Sequence, residues 1–209
     1  MRWAMGAMGA FFVNGPLFRI PEDLGLDASM RLLDIGSGRG AVTRMLDGRV
    51  HFERPPVGVD FSAAALHLAA RDERRAGRPM RLARATATAL PFADGSFDLV
   101  ICGHVLKHLG DSEALTLFLE IQRLLAEGGL ALLWEFAPTG NRRLDAWNER
   151  VLSAGVRRPQ LRSTVELLQL AKLTGIEFRR AAQLRPFLLP PIPRASVLIG
   201  RPPEQTRER

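Results

Sequence analysis

Two carboxylates and a run of glycines stand where a chain could hold a small ligand against its backbone. Asp34 lies inside the apolar run Arg31-Leu32-Leu33-Asp34-Ile35, and Gly36-Ser37-Gly38-Arg39-Gly40 follows at once. Glycines in such a loop permit a sharp strand-to-helix turn and let a ligand rest directly on the peptide groups. Asp60 comes 20 residues after Gly40 and ends a second apolar run, Pro56 to Asp60. A carboxylate there can accept hydrogen bonds from both hydroxyls of a ribose. Gly36-x-Gly38-x-x-Ala41 also satisfies the dinucleotide fingerprint, so loop and Asp60 together indicate an adenosine-containing cofactor without saying which. Asp34 discriminates. A buried carboxylate is costly unless partnered, and it would repel a pyrophosphate. An amino-acid ammonium and a sulfonium would welcome it, and the cofactor that carries both is S-adenosylmethionine.

The candidate bases come later in the chain. His104 and His108 are four residues apart, a spacing that on a helix puts both on one face beside the cofactor. Either is a candidate base. As a metal pair, His-x-x-x-His lacks the glutamate and third ligand of a zinc site, so no metal is expected. Glu135 ends an apolar run near the expected acceptor pocket and reads either as a catalytic carboxylate or as a solvated strand end. Asp94 and Asp98 read as turn and strand-start residues, because the Asp side chain favours turns.

These residues need a scaffold that brings distant segments to one edge. Short apolar runs at residues 31–35, 56–60, 80–85, 97–102 and 130–136 alternate with helical stretches at 41–46, 63–75 and one capped by Ser112. In that third helix Leu115, Leu119, Leu124 and Leu125 are expected near one face, and Gly128-Gly129 is expected to stop it. Ser62 is placed to cap the second helix. Helices at 142–152 and 163–173 and strands at 176–184 and 195–199 complete the pattern. Apolar strands alternating with helices predict a parallel sheet covered on both faces.

Length and composition fit one ordinary domain. The chain has 209 residues, 46% hydrophobic and 24% charged, which excludes collagen-like repeats, coiled coil and global disorder. Cys102 is the single cysteine, so an intrachain disulfide and a Cys-rich zinc site are both excluded. The net charge of +7 raises nucleic acid or an anionic membrane as partners. Only Lys107 and Lys172 are lysines, however, and the arginines are spread along the whole chain rather than gathered in a patch. The run from Trp3 to Val13 is too short to span a bilayer, which needs about 20 apolar residues. No convincing cleavage site follows it. It is expected to form an N-terminal helical arm or lid over residues 1–29, before a domain at 30–200 and a flexible tail at 201–209.

Five segments in order resemble class I S-adenosylmethionine-dependent methyltransferases, in the type 11 group. Leu32 to Gly40 resembles their first motif, and Val57-Gly58-Val59-Asp60-Phe61-Ser62 their second. Ala89-Leu90-Pro91-Phe92-Ala93-Asp94-Gly95-Ser96-Phe97-Asp98 is similar to their "LPF-x-D-x-SFD" block. His104 to Leu109 resembles the segment after the fourth strand, and Arg123 to Gly129 the "R-x-L-K-P-G-G" turn, with Ala126-Glu127 in place of Lys-Pro. The resemblance implies a Rossmann-like α/β/α fold with a seven-stranded, mostly parallel sheet of order 3-2-1-4-5-7-6, its last strand antiparallel. It implies that Asp34 and the Gly36, Ser37, Gly38 and Gly40 backbone hold the methionine end. Asp60 would take the ribose, Phe61 would pack beside the adenine, and Cys102 and Gly103 would line the methionine by their backbones. Many relatives place an acidic residue where this chain has Thr86, so the adenine contact falls to the Thr86 hydroxyl or the Ala87 amide.

The expected activity is in-line methyl transfer to a small-molecule or lipid-like acceptor in the cytoplasm, by a monomer or homodimer. Trp3, Phe11, Phe12, Asn14 and Phe18, with Trp134, Trp147 and the Pro186–Pro193 loop, are candidates to enclose that acceptor. An RNA or protein methyltransferase using the basic surface, and a non-catalytic binding module, are the alternatives.

Overall fold

A computed structural model describes residues 24–76, 79–152, 159–184 and 194–201. Most of the expected lid, the proline loop 186–193 and the tail beyond residue 201 lie outside the described residues.

The strands are β1 (Leu32–Ile35), β2 (Val57–Asp60), β3 (Arg81–Arg84), β4 (Phe97–Gly103), β5 (Leu125–Phe136), β6 (Glu177–Leu184) and β7 (Arg194–Gly200). They form one sheet of order β3-β2-β1-β4-β5-β7-β6. Pairings from β3 through β5 are parallel, and β7 runs antiparallel to both β5 and β6. The expected fold and strand order are therefore present. The helices are α1 (Ala41–Val50), α2 (Ala63–Ala76), α3 (Asp111–Leu124), α4 (Arg142–Leu152) and α5 (Thr164–Leu173).

Both sheet faces are covered. On one, Leu33, Ile35, Val100 and Leu133 pack against α3 and α5 through Leu117, Phe118, Ile121 and Leu167. On the other, Leu32, Leu99, Ile101 and Trp134 pack with Leu46 of α1 and with Phe52. Burying each Leu, Ile or Phe contributes roughly 1.5–3 kcal/mol. Ser62 caps α2 as expected, its hydroxyl accepting from the Ala65 amide at 3.3 Å. Ser163 caps α5 in a reciprocal box with Glu166.

The expectations for α3, for the turn after it and for Arg201 are corrected. Helix α3 starts at Asp111 rather than after Ser112, because the Glu113 carboxylate reaches back to the Gly110 amide at 2.9 Å. Its buried face is Ala114, Leu117, Phe118, Ile121 and Leu124, while Leu119 is 47% exposed, so the core stripe is rotated from the one expected. Gly128-Gly129 does not end the helix. Strand β5 begins at Leu125, and the two glycines sit in an irregularity where the pairing jumps from Phe97↔Leu125 to Leu99↔Leu130. Gly128 has φ 70° there. Arg201, read as the start of a loose tail, exchanges backbone hydrogen bonds with Gly128 and Gly129 and donates from its guanidinium to the Leu125 carbonyl.

The family-like motifs prove to be ties between elements. Arg123 of α3 donates to the Leu90 and Phe92 carbonyls and to the carboxylates of Asp94 and Glu120. Glu120 in turn accepts from the Leu90 amide. Asp98 accepts from the Arg31 amide and two of its guanidinium nitrogens, all at 2.8 Å, which joins the starts of β1 and β4. Asp94 and Asp98 are structural, as read.

Candidate active site

The order of strands reverses between β1 and β4, the place where open parallel sheets bind ligands at their carboxyl edge. Register brings the expected residues to that edge: Asp34 lies opposite Gly58 and Ile101, and Ile35 opposite Val59 and Cys102.

The loop after β1 is held in a left-handed path. Gly36, Gly38 and Gly40 have φ of 74°, 55° and 71°, a region that side chains rarely adopt. A Cβ on Gly36 would fall 2.2 Å from the Val105 side chain, and one on Gly40 would fall 2.5 Å from Met80. Around Gly38 the space is open, so there only backbone strain and the approach of a ligand require glycine. The Asp60 carboxylate fastens this loop, accepting from the Gly38 amide at 2.9 Å and from the Ser62 amide at 2.8 Å. Two carboxylate oxygens offer about four acceptor sites, so Asp60 keeps capacity for two ribose hydroxyls. Phe61, next along the chain, is 70% exposed. Thr86 and Ala87 follow β3 at the same edge, where the Ala85 amide donates to the Asp60 carbonyl and the Thr86 carbonyl accepts from the Ala89 amide.

Asp34 is buried. Burial pushes its carboxyl up to about 7, against the Thr43 hydroxyl, which donates to it and lowers it, while the charge of Asp60 adds to the rise. Ser37 Oγ is also buried and has no hydrogen-bond partner. Cys102 is wholly buried and burial holds its thiol strongly protonated, so only its backbone can line the site. Gly103 has a second reason to be glycine: its Cβ would fall 2.2 Å from the Trp134 ring.

His104 and His108 do not share a helix face. His104 has φ 60°, and a single tight turn, Leu106–His108, follows it. The His104 ring stacks on Phe136 at 4.4 Å and meets Trp134 edge-on at 6.4 Å. His108 is exposed at the end of the turn, and partial burial beside the Lys107 ammonium lowers its pKa. Glu135 is 0% exposed, so the solvated strand end is excluded. Its carboxylate meets His104 Nδ1 at 3.3 Å and accepts from the amides of Lys107 (2.9 Å) and Phe136 (2.8 Å). The Lys107 ammonium lies 3.7 Å away and also donates to the His104 carbonyl. Burial alone would raise the Glu135 pKa. The His104 hydrogen bond and the Lys107 charge outweigh it and hold the group ionised, below its ordinary value.

Sequence reasoning missed Lys107 and Arg162. Arg162 is 5% exposed and donates to the carbonyls of Leu106 and Leu109 and to Asp111, which pins the segment after β4. A lysine inside the apolar stretch Val105–Leu109 was a usable signal; among so many arginines, Arg162 carried none.

Two cavities, of about 630 and 340 Å³, both bounded by Arg31 and Arg54, lie at the opposite, amino edge of the sheet and take no part in this constellation. Among the described residues no group of three or more His, Cys, Asp or Glu is placed to hold a metal ion. No helix among them is long and apolar enough to cross a membrane.

A glycine loop at the switch point, with a carboxylate ending the next strand, is the arrangement of a Rossmann-like domain. Residues 33–133 match the family described as a methyltransferase domain. The demethylmenaquinone methyltransferase of Thermus thermophilus is 38% identical over 122 residues, 56% of this chain and 52% of that protein. The 2-phytyl-1,4-naphtoquinone methyltransferase of Synechocystis is 34% identical over 120 residues, 56% of this chain and 49% of that one. The chain thus spans about half the length of these curated relatives. In fold it is similar to the YcgJ protein of Bacillus subtilis (TM-score 0.71, 18% identity, covering 91% of this chain and 98% of that one). It is also similar to a geranyl diphosphate methyltransferase solved with S-adenosylmethionine (TM-score 0.69, 18% identity, 84% and 79%). Over residues 33–133, just under half of the chain, it is thus similar to the methyltransferase domain of S-adenosylmethionine-dependent enzymes.

The residues present fit that cofactor. The loop is open at Gly38, Ser37 Oγ is buried and unpartnered, and the carboxylates of Asp34 and Asp60 stand before the loop and at the end of the next strand, where a ligand of net positive charge would suit them. Asp60→Ala is expected to weaken binding of S-adenosylhomocysteine at least tenfold by calorimetry, about 1.4 kcal/mol. The substitution removes both the ribose acceptor and the tie to Gly38. Unchanged affinity would mean that the site is misplaced.

Proposed function

We propose that this chain methylates an oxygen-bearing aromatic small molecule of the quinol type, lipid-like in its wider structure, in the cytoplasm. The reading is carried by one coincidence. A chain 38% identical over 122 residues to a demethylmenaquinone methyltransferase also sets an aromatic and histidine cluster beside its cofactor loop.

When bound, S-adenosylmethionine supplies an electrophilic methyl group on an excellent leaving group. The protein's tasks are to align, to exclude water and to handle a proton. Asp34 and the Gly36–Gly40 backbone bind the methionine end, Asp60 binds the ribose, and Phe61 with Thr86 and Ala87 binds the adenine. Glu135 positions His104. An ionised carboxylate only accepts, so His104 Nδ1 carries the proton and Nε2 is the nitrogen that would take a proton from the acceptor hydroxyl. His108 is the weaker candidate base, because it stands outside the stacked cluster.

The test is transfer of tritiated methyl from S-adenosylmethionine to 1,4-naphthohydroquinone, with whole metabolite, lipid, protein and RNA fractions in parallel. Label is expected in the naphthohydroquinone and the lipid fraction. Label confined to RNA or protein would overturn the acceptor class. Binding of S-adenosylhomocysteine with no transfer to any fraction would leave a non-catalytic module.

A further inference from the structure

A surface helix of a globular protein turns its apolar stripe inward and its polar face to water. Helix α4 does the reverse. Asn148 is its one buried residue, whereas Leu144 and Trp147 are 41% and 46% exposed. Single exposed apolar side chains are ordinary, but two large ones three residues apart on one helix form a patch. Val151, half-buried, extends it by another turn.

The charges on α4 are sorted around that patch. With about 3.6 residues per turn, Arg143 lies one turn before Trp147 and Arg150 one turn after it, so a guanidinium flanks the indole on either side along the helix. Both arginines are exposed. Asp145 and Glu149 fall on the opposite side of the helix, and the Asp145 carboxylate accepts from the amide and hydroxyl of Thr139 at 2.7 Å. That tie fixes the start of α4 just past the end of β5. Strand β5 runs parallel to β4 and, through it, to β1, so α4 follows from the same carboxyl edge of the sheet as the glycine loop.

An indole suits the boundary between water and hydrocarbon, its ring apolar and its N–H polar. A helix that combines such a face with arginines is built to lie in the headgroup layer of an anionic bilayer. A second copy of the chain fits this face poorly, because a two-fold contact would set the same arginines against each other. We infer that α4 is a membrane-surface contact: Leu144, Trp147 and Val151 enter the headgroup layer of an anionic bilayer, and Arg143 and Arg150 pair with its phosphates. The formal charge of +7 favours such a surface. The contact turns the carboxyl edge of the sheet toward the bilayer, where a lipid-like acceptor would be dissolved. It rests on the exposed face of α4 and not on the quinol reading.

The test is co-sedimentation of the full chain with vesicles of phosphatidylcholine alone and of phosphatidylcholine mixed with phosphatidylglycerol. Binding to the mixed vesicles is expected to be at least tenfold tighter and to weaken as salt is raised. Leu144→Ser with Trp147→Ser, and separately Arg143→Gln with Arg150→Gln, are each expected to weaken it at least fivefold. Arg71→Gln with Arg74→Gln removes the same charge from exposed positions of α2 and should change it less than twofold. All three double variants should melt with wild type, since the substituted positions are exposed. Binding lost equally with either arginine pair would show attraction to net charge alone and overturn the inference. So would an absence of binding to the mixed vesicles, or a dimer in sedimentation velocity that Leu144→Ser with Trp147→Ser dissociates. Vesicle binding that depends on α4, with no methyl transfer to 1,4-naphthohydroquinone, would support the contact while the quinol reading falls.

Discussion

Glu135→Ala is expected to destabilise the protein by about 3–5 kcal/mol, the cost of leaving one member of a buried ion pair uncompensated. Lys107 is the group left behind. Its side chain is 11% exposed, burial already lowers its pKa, and its carboxylate partner is 3.7 Å away. The amides of Lys107 and Phe136 would lose their acceptor at the same time. Against a typical total of about 5–15 kcal/mol, the loss should appear as a large fall in the denaturant midpoint at pH 7. Glu135→Gln retains an oxygen for one amide and should fall between wild type and Ala. The pH dependence follows from the direction of the shift. The folded pKa of Glu135 lies below its ordinary value, so its contribution is complete above the unfolded value of 4.5. It is lost as pH falls through the lower, folded value. A midpoint change no larger than a surface substitution gives, about 0.5 kcal/mol, would show that the cluster is not an ion pair that the fold depends on.

That cluster marks the limit of what the sequence could disclose. Strand runs and glycine breaks were legible because parallel strands buried on both faces read as short apolar segments, and Leu33, Ile35, Val59 and Val100 are all buried accordingly. The glycine loop and its carboxylate were legible for a different reason: Gly36, Gly38, Gly40 and Asp60 are fixed by local backbone geometry and lie within one β-α-β unit. The cluster of His104, Lys107 and Glu135 depends on long-range pairing. His104 meets Glu135 only because β4 and β5 pair with Gly103 opposite Trp134. Spacing alone suggested a helix through His104 and His108; the positive φ of His104 ends that possibility and turns its ring onto Phe136. The face of α3 was misjudged because Leu119 is as apolar as Leu117, and only packing against the sheet chooses between them.

Asp34→Asn should separate what the site needs from what the fold prefers. The folded pKa of Asp34 is raised from 3.8 to about 7. The ionised carboxylate therefore carries no penalty below pH 3.8, costs increasing stability as pH rises, and costs its full amount above about pH 7. At one pH unit per 1.36 kcal/mol, the full penalty is of the order of a few kcal/mol. Asn removes the charge and keeps an oxygen for the Thr43 hydroxyl, although its amide hydrogens add a smaller desolvation cost. The variant is expected to be more stable than wild type at pH 8, by roughly 1–3 kcal/mol. For a chain of this size that is about 2–4 °C in Tm per kcal/mol. Its affinity for S-adenosylmethionine should nevertheless fall at least tenfold at pH 8, because the cationic methionine end loses its buried counter-charge. Wild-type affinity should climb with pH up to about 7 as Asp34 ionises and then level off, so the gap between the two proteins should narrow at pH 6. Calorimetric titrations at pH 6 and 8, with melting curves on the same samples, read both effects. An affinity that is flat across that range and equal in the two proteins would remove Asp34 from the cofactor site. A variant less stable than wild type at pH 8 would mean that the ionised carboxylate serves the fold. A basic protein that keeps an uncomfortable acid at the root of its glycine loop does so for a positively charged ligand, and the opposite signs of these two measurements would show it.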